Sequence, residues 1–104
     1  MATWQLRVGA IQMRSTDDLA GNLARCSELT ALAASEGAQL VVLPECFSFL
    51  GREREKLAIA EAIEGPTPTG RVLGTLREIA TRHGVWIVGG GMPERVRDDD
   101  RRTY

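Results

Sequence analysis

The sequence runs to 104 residues, of which 43% are hydrophobic and 26% charged. That length holds one domain without a second core, and the apolar content excludes wholesale disorder. Thirteen basic side chains against fourteen acidic ones leave a formal charge of −1, without the basic excess by which a nucleic-acid module displaces counterions, so no nucleic-acid partner is expected.

The first element is a strand over residues 4–12. Leu6, Val8 and Ala10 alternate with Arg7, Gly9 and Ile11, and a period of two argues for extended chain. Apolar Ile11 on the second side suggests that this face is also covered near its end. The segment Ser15-Thr16-Asp17-Asp18 then offers capping oxygens and negative charge at a helix start. Leu19, Leu23, Cys26, Leu29, Leu32 and Ala33 follow at helical spacing, and Gly37 fits a left-handed C-terminal cap. The expected helix covers about residues 18–36.

Residues 39–43 are short, β-branched and apolar on both sides, as suits a central parallel strand, and Pro44 ends it because it cannot donate to a ladder. A polar start and then Leu57, Ala60 and Ile63 at helical spacing predict a helix over 52–63. A loop rich in Gly and Pro occupies 65–70. A second amphipathic helix over 71–83 turns Val72, Leu73, Leu76, Ile79 and Ala80 inward, with Gly84 as its cap. Residues 85–88 read as another buried strand, running into Gly89-Gly90-Gly91. Alternation of this kind implies an α/β fold with a mainly parallel sheet and right-handed crossovers.

Residues 97–102 look like a hairpin or loop tip, and Thr103-Tyr104 has β-forming character, so the chain reads as stopping where a strand would begin. Three strands are thin for a free-standing fold. The expectation is therefore a partial domain over 1–104 whose C-terminal part is missing, the alternative being a natural small domain with a frayed tail.

The longest apolar run, residues 40–44, is too short to cross a bilayer. The N-terminus lacks the basic and then apolar blocks of a secretory signal. Cys26 and Cys46 have no metal or redox spacing and read as reduced thiols of a cytoplasmic chain, with a single disulfide in an exported domain as the alternative. Charge is uneven: residues 1–51 carry three basic and five acidic side chains, residues 52–104 ten and nine. The mixed runs at 52–56 and 94–102 read as solvated faces or loops.

Glu45 is the informative residue. It follows an apolar strand and Pro44 at the carboxyl end, where ligands bind in open α/β sheets. Set against Leu43 and Phe47, its carboxylate would suit a general base near neutral pH. On position alone, the alternative is an acid that caps the next turn or pairs with an arginine.

The segments VGAIQM (8–13), LVVLPECF (40–47) and GVWIVGGGMPER (84–95) resemble, in order and spacing, the nitrilase or carbon–nitrogen hydrolase superfamily. The resemblance covers almost the whole chain and only the first part of the family's domain. It implies the N-terminal portion of an α-β-β-α sandwich. It also implies a mechanism in which a cysteine thiolate attacks an amide or nitrile carbon, with a glutamate of the LPE motif as general base. A lysine stabilises the tetrahedral intermediate, and water then hydrolyses the acyl-thioester.

Glu45 matches that glutamate; the lysine and the nucleophilic cysteine are expected beyond residue 104. The resemblance further implies a small-molecule amide substrate, no cofactor, no membrane partner, and a homo-oligomeric full-length parent. Within the superfamily, FSFLG (47–51) after LPEC looks most like the deaminated glutathione amidase branch, and LPECF also resembles the ω-amidases.

Local residues compete for the two absent roles. Cys46 is adjacent to Glu45, but neighbours in an extended strand diverge unless the chain turns there. Lys56, the one lysine, reads as part of a solvated helical run. His83 suits a helix C-terminus. The Gly89-Gly90-Gly91 run lacks a phosphate-loop pattern, and Glu94 reads as a surface acid paired with Arg95 or Arg97. No complete catalytic set lies within these residues, so the chain alone is expected to be inactive. The contrasting reading is a small non-enzymatic α/β binding or interaction module.

Overall fold

A computed structural model describes residues 3–63, 70–96 and 103. The elements follow in the order β1 (Val8–Ala10), α1 (Leu19–Ser35), β2 (Leu40–Val42), α2 (Glu53–Ile59), α3 (Arg71–His83) and β3 (Trp86–Val88). The three strands form one parallel sheet in the order β1-β2-β3, in which Val8, Leu40 and Trp86 share one row and Ala10, Val42 and Val88 another. The expected α/β class and parallel pairing are observed. Among the described residues, no helix is long and apolar enough to cross a membrane.

The helix ends follow their local chemistry. Asp18 is the N-cap of α1, and its carboxylate accepts the Gly21 N–H at 3.0 Å. Gly37 (φ +91°) and Gly84 (φ +63°) take the left-handed conformation after α1 and α3. Arg7 donates to the Glu36 carbonyl at 2.9 Å, placing a cation at the α1 C-terminus. In α1 the buried face runs through Asn22, Leu23, Cys26 and Thr30, whereas Leu32, expected inside, is 57% exposed.

Two strand expectations are corrected. Successive right-handed crossovers through adjacent strands keep their helices on one side of a sheet, and here α1 and α3 pack against each other. That layer covers the face bearing Gly9, Ile11, Val41 and Ile87; the core includes Leu23, Cys26, Val41, Leu43, Phe47, Val72, Leu76 and Ile79. The opposite face is bare: Val8 is 49% exposed, Trp86 80% and Val88 48%. So β3 is not a buried strand, and the Leu6, Val8, Ala10 side of β1 is not its covered side. The strand at β1 is also shorter than the alternation over 4–12.

The helix expected over 52–63 closes at Ile59 because the chain turns extended at Ala60. Glu61 leaves to pair its backbone with the segment after β3, its N–H donating to Pro93 O at 3.2 Å and its carbonyl accepting Arg95 N–H at 2.9 Å. Both oxygens of the buried Glu61 carboxylate turn to the start of α3, taking the N–H groups of Val72 at 2.5 Å and Leu73 at 3.1 Å. An acid eleven residues upstream thus satisfies two of the free donors of α3. Thr103 forms an antiparallel bridge with Arg95, as a returning strand would. The loop expected at 65–70 lies outside the described residues except for Gly70, as do the loop tip at 97–102 and Tyr104.

Candidate active site

The ladder carries β2 straight into the site. Leu43 N–H donates to Val88 O at 2.9 Å, so the chain leaves the sheet only at Pro44. It then turns through Glu45 and Cys46, and Cys46 takes a positive φ of 56°. A left-handed conformation is costly for a residue with a Cβ, and surrounding contacts must hold it. One such contact is the Cys46 N–H, which donates to Gly91 O at 3.1 Å. The turn cancels the divergence that extended neighbours would have, and Glu45 and Cys46 line the same cavity.

Gly90 makes this approach possible. A Cβ built there would collide with the Pro44 carbonyl and lie 2.8 Å from Glu45 N. The neighbouring glycines are less constrained: a Cβ at Gly89 meets its nearest atom at 3.5 Å, and one at Gly91 lies 3.7 Å from the Glu45 Cγ. The glycine run therefore serves close packing of the strand-end loops, with its middle member as the tight point.

Behind the turn, a buried asparagine ties three segments. Asn22 Nδ2 donates to Thr16 O at 2.8 Å and Ser48 O at 2.7 Å, and its Oδ1 accepts Thr16 N–H at 3.1 Å. Leu50 N–H donates to Thr16 O at 2.9 Å. The loop before α1 thus braces residues 47–50, immediately after Glu45. Asn22 escaped the sequence reading; a polar amide on an otherwise apolar helical face, beside Leu23, is the signal that marks it.

The cavity holds about 370 Å³ and is lined by Glu45, Cys46, Phe49, Glu53 and Lys56 together with Gly91, Met92, Pro93 and Thr103. Glu45 is exposed rather than enclosed by Leu43 and Phe47, both of which turn into the core. Lys56 is not the fully solvated cation that its sequence surroundings suggested: its side chain is 26% exposed and it lines the cavity. It donates to Glu53 at 2.6 Å. That hydrogen bond raises the Lys56 pKa; partial burial opposes the shift, and the charges of Glu53 and Cys46 add to it.

The other candidates stand apart from this group. Cys26 is fully buried, and desolvation pushes its thiol up from 9.0 to about 11, with its own backbone hydrogen bond opposing. His83 sits in the last turn of α3, away from the cavity lining. Glu94 is half-buried and bridges to Glu61; among the described residues the ion pairs are Arg25–Glu28, Glu53–Lys56 and Glu78–Arg82. The Glu94–Arg95 pair is not among them, and the alternative partner Arg97 lies outside the described residues.

A parallel α/β unit with an acid at the carboxyl end of its central strand, facing a glycine-rich strand end, defines a class in which chemistry sits on the sheet edge. Within that class, the family model for carbon–nitrogen hydrolases matches residues 7–104, and the chain belongs to that family. Among curated proteins, it is 44% identical over 95 residues to a deaminated glutathione amidase of Synechocystis sp., covering 91% of this chain and 33% of that protein. The mouse (Mus musculus) deaminated glutathione amidase is 36% identical over 98 residues, covering 92% and 29%. A nitrilase and fragile histidine triad fusion protein of Drosophila melanogaster is 38% identical over 85 residues, covering 81% and 17%. The chain spans about a third of the length of the first of these relatives.

Proposed function

We propose that these residues form the N-terminal part of a cytoplasmic carbon–nitrogen hydrolase that cleaves a non-peptide amide of a small carboxylic acid, with deaminated glutathione as the leading substrate. Glu45 is the general base. It takes the proton of a cysteine thiol supplied by residues beyond 104, and the thiolate attacks the amide carbon. A lysine, also from beyond 104, stabilises the oxyanion, the amine half of the amide leaves with the proton that Glu45 took up, and water resolves the acyl-thioester. The proposal includes a small-molecule substrate, no cofactor and a homo-oligomeric parent. The two cysteines here, both free, suit a reducing compartment.

The observation that carries this reading is the placement of Glu45 on a cavity at the carboxyl end of β2, with its turn held by Gly91 and closely packed against Gly90. The names of the relatives favour the amidase branch over a nitrilase. The test is hydrolysis of deaminated glutathione, alongside an ω-amide of a small dicarboxylic acid, by two proteins. The whole protein that carries these residues should turn over, and its reading frame should continue past Tyr104 with a strand, a lysine and then a cysteine. The 104-residue chain should not turn over, because it offers a base without a separate nucleophile. Turnover by the short chain that disappears in Cys46→Ser would show the site to be complete within it and would overturn this division.

A further inference from the structure

The cavity beside Glu45 is lined by charges of both signs. Glu45 and Glu53 bring two carboxylates, and Lys56 is the cation lining it among the described residues. Lys56, paired with Glu53, is the cation that an anion entering this cavity can meet among the described residues. The lysine is also available: an ammonium has three N–H donors, and among the described residues it makes one hydrogen bond, to Glu53. Glu53 is a loose partner, with its side chain 86% exposed, while the Lys56 side chain is 26% exposed and so largely packed against the protein. Packing therefore positions the lysine while its partner remains free to yield.

We propose that Lys56 is the carboxylate anchor of this cavity and selects amides whose acyl chain ends in a carboxylate. The acid end of the substrate lies against the Lys56 ammonium and the amide end lies toward Glu45. A volume of about 370 Å³ suits a short ω-amide of a dicarboxylic acid. The assignment rests on reading the Glu45 cavity as the amide site, and it gives Lys56 a binding role distinct from oxyanion stabilisation.

Cys46 lines the same cavity and serves as a built-in probe. Iodoacetate and iodoacetamide are nearly the same size and differ as an acid differs from its amide. Their alkylation rates at Cys46 are measured in the whole protein and resolved from other thiols by fragment-ion mass spectrometry. Any effect of Lys56 on the thiolate fraction is common to both reagents and cancels in the ratio.

Removing one positive charge from the same cavity should lower the iodoacetate-to-iodoacetamide ratio about threefold or more at low salt in Lys56→Gln. The difference should vanish near about 1 M salt, and Lys56→Arg should hold the ratio within about twofold of the parent. In turnover, Lys56→Gln should raise KM for the ω-amide of a dicarboxylic acid and spare an uncharged amide of the same length. A ratio unmoved by Lys56→Gln, or a Cys46 that reacts with neither reagent, overturns the anchor. Such a failure leaves Glu45 untouched, whereas turnover indifferent to Glu45→Gln with the ratio effect intact removes the base and leaves the anchor.

Discussion

Replacing Gly90 by alanine tests how the site is held together. The added Cβ would collide with the Pro44 carbonyl and sit 2.8 Å from Glu45 N, where ordinary contact begins near about 3.4 Å. Both obstacles are backbone, so no rotamer change relieves them. The two strand-end loops must separate by about an ångström or more at the Pro44 carbonyl. That strains the 3.1 Å hydrogen bond from Cys46 N–H to Gly91 O, which helps hold the left-handed Cys46. Overpacking against backbone costs about 1–3 kcal/mol, and the weakened hydrogen bond adds about 0.5–1.5 kcal/mol. A loss of about 2–4 kcal/mol is therefore expected from denaturant melts of the whole protein, together with lower kcat. Gly74→Ala is the control: nothing lies within 4 Å of its Cβ, and within a helix the change should stabilise by about 0.5–1 kcal/mol. A Gly90→Ala protein as stable and active as the parent would refute the close packing inferred here.

Three further perturbations follow from the packing. Glu61→Ala strips the Val72 and Leu73 N–H groups of their acceptor and should cost about 1–3 kcal/mol in a denaturant melt; a cost under about 0.3 kcal/mol would mean that water caps α3 equally well. Burial raises the Cys26 pKa from 9.0 to about 11, so its contribution is complete below pH 9 and falls as pH rises toward 11. The whole loss is on the order of 2–3 kcal/mol, and melts of parent and Cys26→Ala should differ in pH dependence over that window and nowhere below it. Trp86 is 80% exposed on the bare sheet face, the face that a second sheet covers in an α-β-β-α sandwich. Trp86→Ala should therefore cost about 3–5 kcal/mol in the whole protein, and a change within about 0.5 kcal/mol would mean that this face meets solvent.

Features written in short stretches of chain were legible before the structure. Asp18, Gly37 and Gly84 mark helix ends through chemistry that acts within a few residues, and the limits of α3 agree with its spacing of apolar positions. The order of strands and the position of Glu45 at the end of β2 were also legible, since Pro44 stops the ladder locally. Features decided by distant partners were not. Alternation gives β1 two faces, but the side on which α1 and α3 settle decides that Gly9 is covered and Val8 bare. The apolar run of β3 suggested burial, although Trp86 lies on the side without helices. Glu61 fitted a helical register until the bonds to Pro93 and Arg95 took it out of α2. Lys56 looked solvated because its neighbours in sequence are charged, whereas its place on the cavity depends on where α2 docks.

The most direct measurement of the central claim is kcat/KM for deaminated glutathione hydrolysis by the whole protein and its Glu45→Gln variant. Glutamine keeps the length of the side chain and its hydrogen-bonding reach, and Glu45 lies exposed on the cavity wall, so the fold should be unchanged. Losing the base should lower kcat/KM by at least about a hundredfold, with circular dichroism and Tm matching the parent. A variant that folds like the parent and hydrolyses the amide at the parental rate would contradict the role of Glu45.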